Sequence, residues 1–294
     1  MSIQLGSITQ TKNGYSTQLD KIITIEEFEN FFKAIDELHN YENLKRLYEI
    51  VILNNNELIL FIESEKESLF EDSLSLVGDK EKYYKHHLNL NRIMLNYLAS
   101  FRMLVDHIET IIKRKFGKKS QQAKLFKQLT NKIFDKYFAY RFFYKLRNYS
   151  QHCGIPIDDF EISATALGSD KFKPEYKIEF SSKELLSNYK EWGAILNNDL
   201  KSKDKFSLFP LLEQMKNALD ELWKSMISIF ENKILESIDY IEKNSGYLKT
   251  PENSVCIFSN IKNDGNGQMR YFTNNIIPFD IIEELRIKTA TNNV

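Results

Sequence analysis

The chain has 294 residues, with 40 Lys and Arg against 41 Asp and Glu, a formal net charge of −1 and a hydrophobic share of 42%. That length allows a sizeable core, and no apolar run of about 18 residues is present to span a membrane. Two cysteines, Cys153 and Cys256, exclude a disulfide framework and a Cys-based zinc site.

Ten Gly and five Pro are few for this length, which favours long helices over turn-rich β structure. The opening MSIQLGSITQTKNGYSTQ lacks the basic-then-apolar order of a signal peptide. The expectation is a soluble cytoplasmic protein without cofactor or metal. The even net charge conceals an uneven distribution. From Ile111 to Arg147 twelve Lys or Arg face one acid, Asp135, a balance of +11, which leaves 28 basic and 40 acidic residues elsewhere, or −12. Such asymmetry points to a polyanion-binding region inside an acidic chain, with a solvated lysine-rich face as the plain alternative.

In chain order, Thr24 and Glu27 form a capping-box pattern. It opens a helix predicted over Ile25 to Glu37, with Phe28, Phe31, Phe32 and Ile35 on one side. A second helix is predicted from Asn43, carried by Leu44, Leu47, Tyr48, Val51, Ile52, Leu58, Ile59 and Ile62. The charged stretch Glu63 to Lys82 reads as a loop or broken helix. Between Tyr84 and Lys115, apolar residues from Leu90 to Ile111 alternate in steps of four and three, the seam of a long packed helix.

Ser120 is a good N-cap for a helix over Gln121 to Lys132. A further helix, Ile133 to Gln151, is stopped by Gly154 and Pro156. Alternation over Phe160 to Ala166 and Tyr176 to Phe180, around Gly168-Ser169-Asp170, predicts a β-hairpin. Helices resume over Ser182 to Asn198 and Pro210 to Lys243. The tail from Tyr247 mixes short apolar runs at Val255 to Phe258 and Ile276 to Ile282 with a turn at Asn263-Asp264-Gly265. The fold class is therefore mainly α with a small β-hairpin insertion, in three stretches. These are a helical region over 1–82, a helical core over 83–157, and a third over 158–294 whose hairpin and C-terminal helices pack on that core.

The stretch FFYKLRNYSQHCGIPI, Phe142 to Ile157, holds the most chemistry. It sets Arg147, Asn148 and His152 at the end of a helix. At about 100° per residue, Phe134, Phe138, Phe142, Leu146 and Tyr149 form the core side, while Arg141, Asn148 and His152 line its flank. Asn148 and His152 are four apart, so the amide can orient the imidazole. Tyr137, Tyr140, Tyr144, Arg147 and Gln151 fall opposite the core, where tyrosine and arginine read as a second interface, with protein or RNA. Arg147 and His152 are separated by about 7.5 Å of rise and about 140° of rotation. They can hold one phosphate only if the last turn unwinds or a second subunit brings its own pair.

Other polar residues read more plainly. His86 and His87 point about 100° apart on a helix, a poor metal pair. Arg102 and Asp106 read as a surface pair or as support for the motif, and Cys153 as a small buried residue. Taken singly, His152 could serve the last carbonyls of its helix and Arg147 a salt bridge.

Arg147-Asn148-Tyr149-Ser150-Gln151-His152 resembles the signature of the HEPN family (higher eukaryotes and prokaryotes nucleotide-binding domain). That signature is an arginine, a polar residue, three variable positions and a histidine, and the resemblance covers Tyr84 to Pro156. It implies a helical bundle of HEPN type that forms a homodimer with two motifs facing each other. It also implies metal-independent endoribonuclease activity in a toxin or anti-phage (abortive infection) setting, with an antitoxin or defence-system partner.

The chemistry agrees with this. The arginine fork holds phosphate oxygens, and a histidine moves protons near neutral pH. Arg147, Asn148 and His152 are the catalytic candidates, and Lys113, Arg114, Lys115, Lys118, Lys119, Arg141 and Tyr144 the RNA-binding ones. The alternative is a non-catalytic helical module that binds RNA or a partner protein through the tyrosine–arginine face.

Overall fold

A computed structural model describes residues 2–73, 79–168, 172–263 and 269–291. The turns expected at Gly168-Ser169-Asp170 and Asn263-Asp264-Gly265 lie mostly outside those residues. By contact the chain forms two compact units, Met1–Asn43 with Phe230–Val294, and Leu44–Ile229. The expected mainly helical organisation is present, with more β structure than the single hairpin expected.

The first unit opens with β1 (Ile3–Thr11) and β2 (Gly14–Ile23), an antiparallel hairpin where the sequence had indicated only helices. These strands join β7 (Asn253–Asn263) and β8 (Met269–Ile276) in one antiparallel sheet of order β2-β1-β7-β8. In β7, the consecutive residues Val255, Cys256, Ile257 and Phe258 are all buried, so this inner strand is covered on both faces. Edge strand β2 is largely exposed. At Gly6 a Cβ would stand 2.2 Å from the carbonyl oxygen of Gln18, so the bulge that pairs these strands requires glycine.

The capping box forms as expected. The Thr24 amide donates to Glu27 Oε2 at 2.7 Å, and the Glu27 amide donates to Thr24 Oγ1 at 3.1 Å. The helix it opens, α1 (Ile25–Ser73), is a single element rather than two. Leu38, Tyr41 and Leu44 keep its apolar stripe buried across the expected gap. Asn40 there donates to the Asp36 carbonyl (2.5 Å) instead of ending the helix. Much of the expected loop after Glu63 is likewise helical, and α2 (Lys80–Phe116) starts where Asp79 Oδ1 accepts from the amides of Glu81 and Lys82, both at 3.0 Å.

In the second unit α2, α3 (Gln121–Lys136) and α4 (Phe138–His152) pack together. The break between α3 and α4 falls at Tyr137, four residues later than expected. The expected hairpin is β3 (Glu161–Ala166) with β4 (Phe172–Lys177). Phe180 leaves it for β5 (Glu179–Ser181), which pairs with β6 (Lys205–Ser207).

The expected helix from Ser182 is two, α5 (Ser182–Asn188) and α6 (Ala194–Lys201). Between them Trp192 turns into the core and Gly193 takes φ +84°, a left-handed conformation suited to glycine. Helix α7 (Leu208–Ser245) follows, and α8 (Phe279–Thr291) ends the described chain. Phe142 of α4 is fully buried, ringed by Phe138, Phe143, Phe180, Trp192 and Phe206 at centroid distances of 5.0 to 6.1 Å. This aromatic cluster fixes which way α4 faces.

Candidate active site at the end of the fourth helix

Polar bonds clamp α4 along its length. Arg141 Nε donates to Asp199 Oδ2 at 2.6 Å, and its Nη1 donates to the carbonyls of Phe134 (3.0 Å) and Asp135 (3.2 Å). Its guanidinium thus ties α4 to α6 and to the end of α3, away from the motif. Lys145 donates to the Glu191 carbonyl at 2.9 Å. Tyr149, buried near the C-terminus, stacks on Trp192 at 5.8 Å.

The exit from α4 is equally determined. The Cys153 amide donates to the Tyr149 carbonyl at 2.8 Å, and a Cβ on Gly154 would stand 3.0 Å from the Tyr149 hydroxyl. Three residues on, Ile157 is held by α2. Asn91 Nδ2 donates to the Ile157 carbonyl, and the Ile157 amide donates back to Asn91 Oδ1, both at 2.9 Å. His87 Nε2 also reaches that carbonyl at 2.9 Å, donating from its N–H tautomer. Beside it, buried His86 bonds the Tyr176 hydroxyl at 2.6 Å and stacks on Phe61 at 4.9 Å. Burial, with the neighbouring His87 second, pushes the His86 pKa down to about 4. This α2 lock was not anticipated. Asn91 sits among polar residues of a long helix, and only contact with Ile157 reveals its part.

The motif itself lies on the last turns. Arg147 is half-buried and donates through Nη1 to Gln151 Oε1, one turn on. Asn148 is half-buried and His152 exposed. Among the described residues neither side chain has a hydrogen-bond partner, so the amide–imidazole bond expected from their spacing is not made. Helix α4 stays regular to His152, so the last turn is not unwound and the separation of Arg147 from His152 persists. Cys153, expected buried, is exposed at the end of α4.

The tyrosine row is partly covered from within the chain. Tyr140 is 2% exposed and meets Phe101 of α2 edge-on at 5.2 Å. Tyr144 lies 4.3 Å beneath the Arg102 guanidinium, which pairs with Asp106 at 2.8 Å. The Tyr137 hydroxyl donates to Glu221 Oε2 at 3.1 Å. Helix α4 therefore has two packed sides, with half-buried Tyr144 bordering a cleft.

The basic candidates separate into groups. Lys113, paired with Glu109 at 2.6 Å, Lys118 and Tyr144 line one cleft of about 560 Å³ between α2, α3 and α4. Arg114, Lys115 and Lys119 lie near its α2–α3 corner and are not part of its lining. Tyr140, Tyr144, Arg147 and Gln151 follow one another by four, three and four residues, so the row that walls the cleft continues to the motif. No group of three or more His, Cys, Asp or Glu is gathered as a metal site among the described residues. Nor is any described helix long and apolar enough to cross a membrane. No family model, curated protein or solved structure matches the chain.

Proposed function

We propose that this chain is a metal-independent endoribonuclease of HEPN type that acts as a homodimer, in the manner of a toxin or anti-phage effector. The observation that carries the reading is the end of α4. There Arg147 is steadied by Gln151, while half-buried Asn148 and exposed His152 have side chains with no bond among the described residues. The reaction is an attack of the ribose 2′-oxygen on its own 3′-phosphate. A new O2′–P bond forms, the P–O5′ bond breaks, and the products are a 2′,3′-cyclic phosphate and a 5′-hydroxyl.

A neutral imidazole takes the 2′-hydroxyl proton, and an imidazolium gives one to the leaving 5′-oxygen. The arginine fork balances charge on the phosphorane. One regular helix directs Arg147 and His152 apart, so a two-fold pair of motifs would supply the base, the acid and the charge in one cleft. Asn148 would orient an imidazole across that axis.

The test is RNA incubated with the purified protein in EDTA, with analysis of the ends and of mass by light scattering. Cleavage to cyclic-phosphate ends by a dimer is the expected result. A strict need for Mg²⁺, or full activity from a monomer at micromolar concentration, would overturn the reading. A protein that binds RNA without cutting it would be the non-catalytic module instead.

A further inference from the structure

The cleft between α2, α3 and α4 carries a charge arrangement that the motif chemistry does not use. On its α2 wall the charges cancel, because Arg102 pairs with Asp106 and Lys113 with Glu109. On the side of α3 and the preceding turn, Lys118, Lys124 and Lys127 are exposed and, among the described residues, have no carboxylate partner. Helix α3 provides an internal comparison. Its later lysines, Lys132 and Lys136, lie outside the cleft and share Glu221 at 3.3 and 2.6 Å. Pairing is thus withheld from the lysines that border the cleft on the α3 side.

Three further features point to what neutralises them. The first turn of α3, capped by Ser120 at 3.1 Å from the Ala123 amide, adjoins the cleft and adds the positive end of a helix dipole. Behind the charges lies an apolar and aromatic wall, with Val105, Phe126 and Tyr140 buried and Phe134 and Tyr144, beneath Arg102, half-buried at its surface. The Asn131 amide, which can donate and accept, and the Thr130 hydroxyl also line it. A volume of about 560 Å³ suits one small ligand. A bare phosphate would use the lysines and leave the aromatic and amide surface idle, whereas a nucleotide would use all three.

We propose that this cleft is a nucleotide-binding site, with phosphate held by Lys118, Lys124 and Lys127 and the base and sugar against the aromatic wall. The nucleotide is either one unit of an RNA strand or a free nucleotide, since the recognising chemistry is the same. If it belongs to a strand, the row Tyr144, Arg147 and Gln151 leads that strand from the cleft to the motif. That last step rests on the ribonuclease reading, but binding in the cleft does not.

The experiment is an equilibrium titration of the full chain, in EDTA, against two probes. One is a fluorescein-labelled 2′-O-methyl oligoribonucleotide, which cannot be cut, and the other is a fluorescent ATP analogue. The double variant Lys124→Glu/Lys127→Glu should weaken binding about tenfold or more. It should also reduce the slope of log affinity against log salt for the strand by roughly 1 to 2. Exposed Lys173 and Lys183 lie outside the cleft. The Lys173→Glu/Lys183→Glu control, with the same change of net charge, should stay within about twofold of wild type. Displacement of the strand by unlabelled ATP would identify a free nucleotide as a ligand, and displacement only by unlabelled RNA would identify the strand. No binding of either probe by the wild type, an unchanged affinity in the cleft variant, or an equal loss in the control would overturn the proposal. Because the strand probe cannot be cleaved, a failure of catalysis leaves this result readable.

Discussion

On α2, His86, His87 and Asn91 are engaged in holding the fold, with bonds to Tyr176 and to both backbone groups of Ile157. On α4, Asn148 and His152 belong to the same residue types and sit a few residues upstream of that same Ile157. Their side chains nonetheless make no bond among the described residues. The α2 set makes its bonds where the chain is packed, whereas on α4 His152 is exposed and Asn148 half-buried. Residue type marks both groups alike as candidates. Bonding separates them: the first set holds the fold, and the second carries the chemistry proposed above.

The largest expected effect lies on the α4 side. Arg147→Lys keeps the charge but loses the planar fork, and cleavage should fall about 10²-fold or more. Its unfolding free energy in urea should stay within about 0.5 kcal/mol of wild type, as for other changes away from buried features. If stability fell instead, with the rate per folded molecule unchanged, Arg147 would belong with the α2 set.

Asn91→Leu is the counterpart on α2. It leaves the buried amide of Ile157 unpaired, while His87 still reaches the carbonyl, and urea unfolding should show a loss of about 1–3 kcal/mol. A loss below about 0.5 kcal/mol would mean the lock is not holding the exit of α4.

The His86 side chain sharpens the comparison through pH. Its folded pKa, about 4, lies below the ordinary 6.5, so between those values the unfolded chain binds more protons than the folded one. Stability is therefore complete above about pH 6.5 and falls as the pH drops toward 4, by up to about 3 kcal/mol. Denaturant midpoints across that window should show the slope, and His86→Phe should remove its share. An equal slope in that variant would assign the acid sensitivity elsewhere. The smallest expected effect is Cys153→Ser. That side chain is exposed, so neither the midpoint nor the cleavage rate should move measurably.

Features governed by neighbours in sequence were legible before the structure. Thr24 and Glu27 announce a capping box, the stripe from Leu90 announces α2, and Gly154 and Pro156 announce the end of α4. Gly154 serves less through its own backbone than by leaving room for the Tyr149 hydroxyl. Features that depend on distant chain were not legible. The strand Ile3–Thr11 pairs with residues about 250 positions away, and exposed β2 has too little apolar alternation to declare itself. The α4 projection rightly set Tyr140 and Tyr144 apart from the Phe142 core, but a projection cannot show that α2 covers them. Arg141 likewise gave no sign of Asp199, 58 residues on. The motif was readable because its six residues are contiguous, whereas the cleft beside it is assembled from three helices.

The most direct test sets the two histidine groups against each other in one assay. Cleavage of a labelled RNA is followed in EDTA for wild type, His152→Ala and His87→Ala, with each rate divided by the folded fraction from circular dichroism. His152→Ala should be fully folded and should have lost cleavage by about 10²-fold or more. His87→Ala, though less stable, should cut at the wild-type rate per folded molecule. Wild-type cleavage by His152→Ala would remove that histidine from the chemistry.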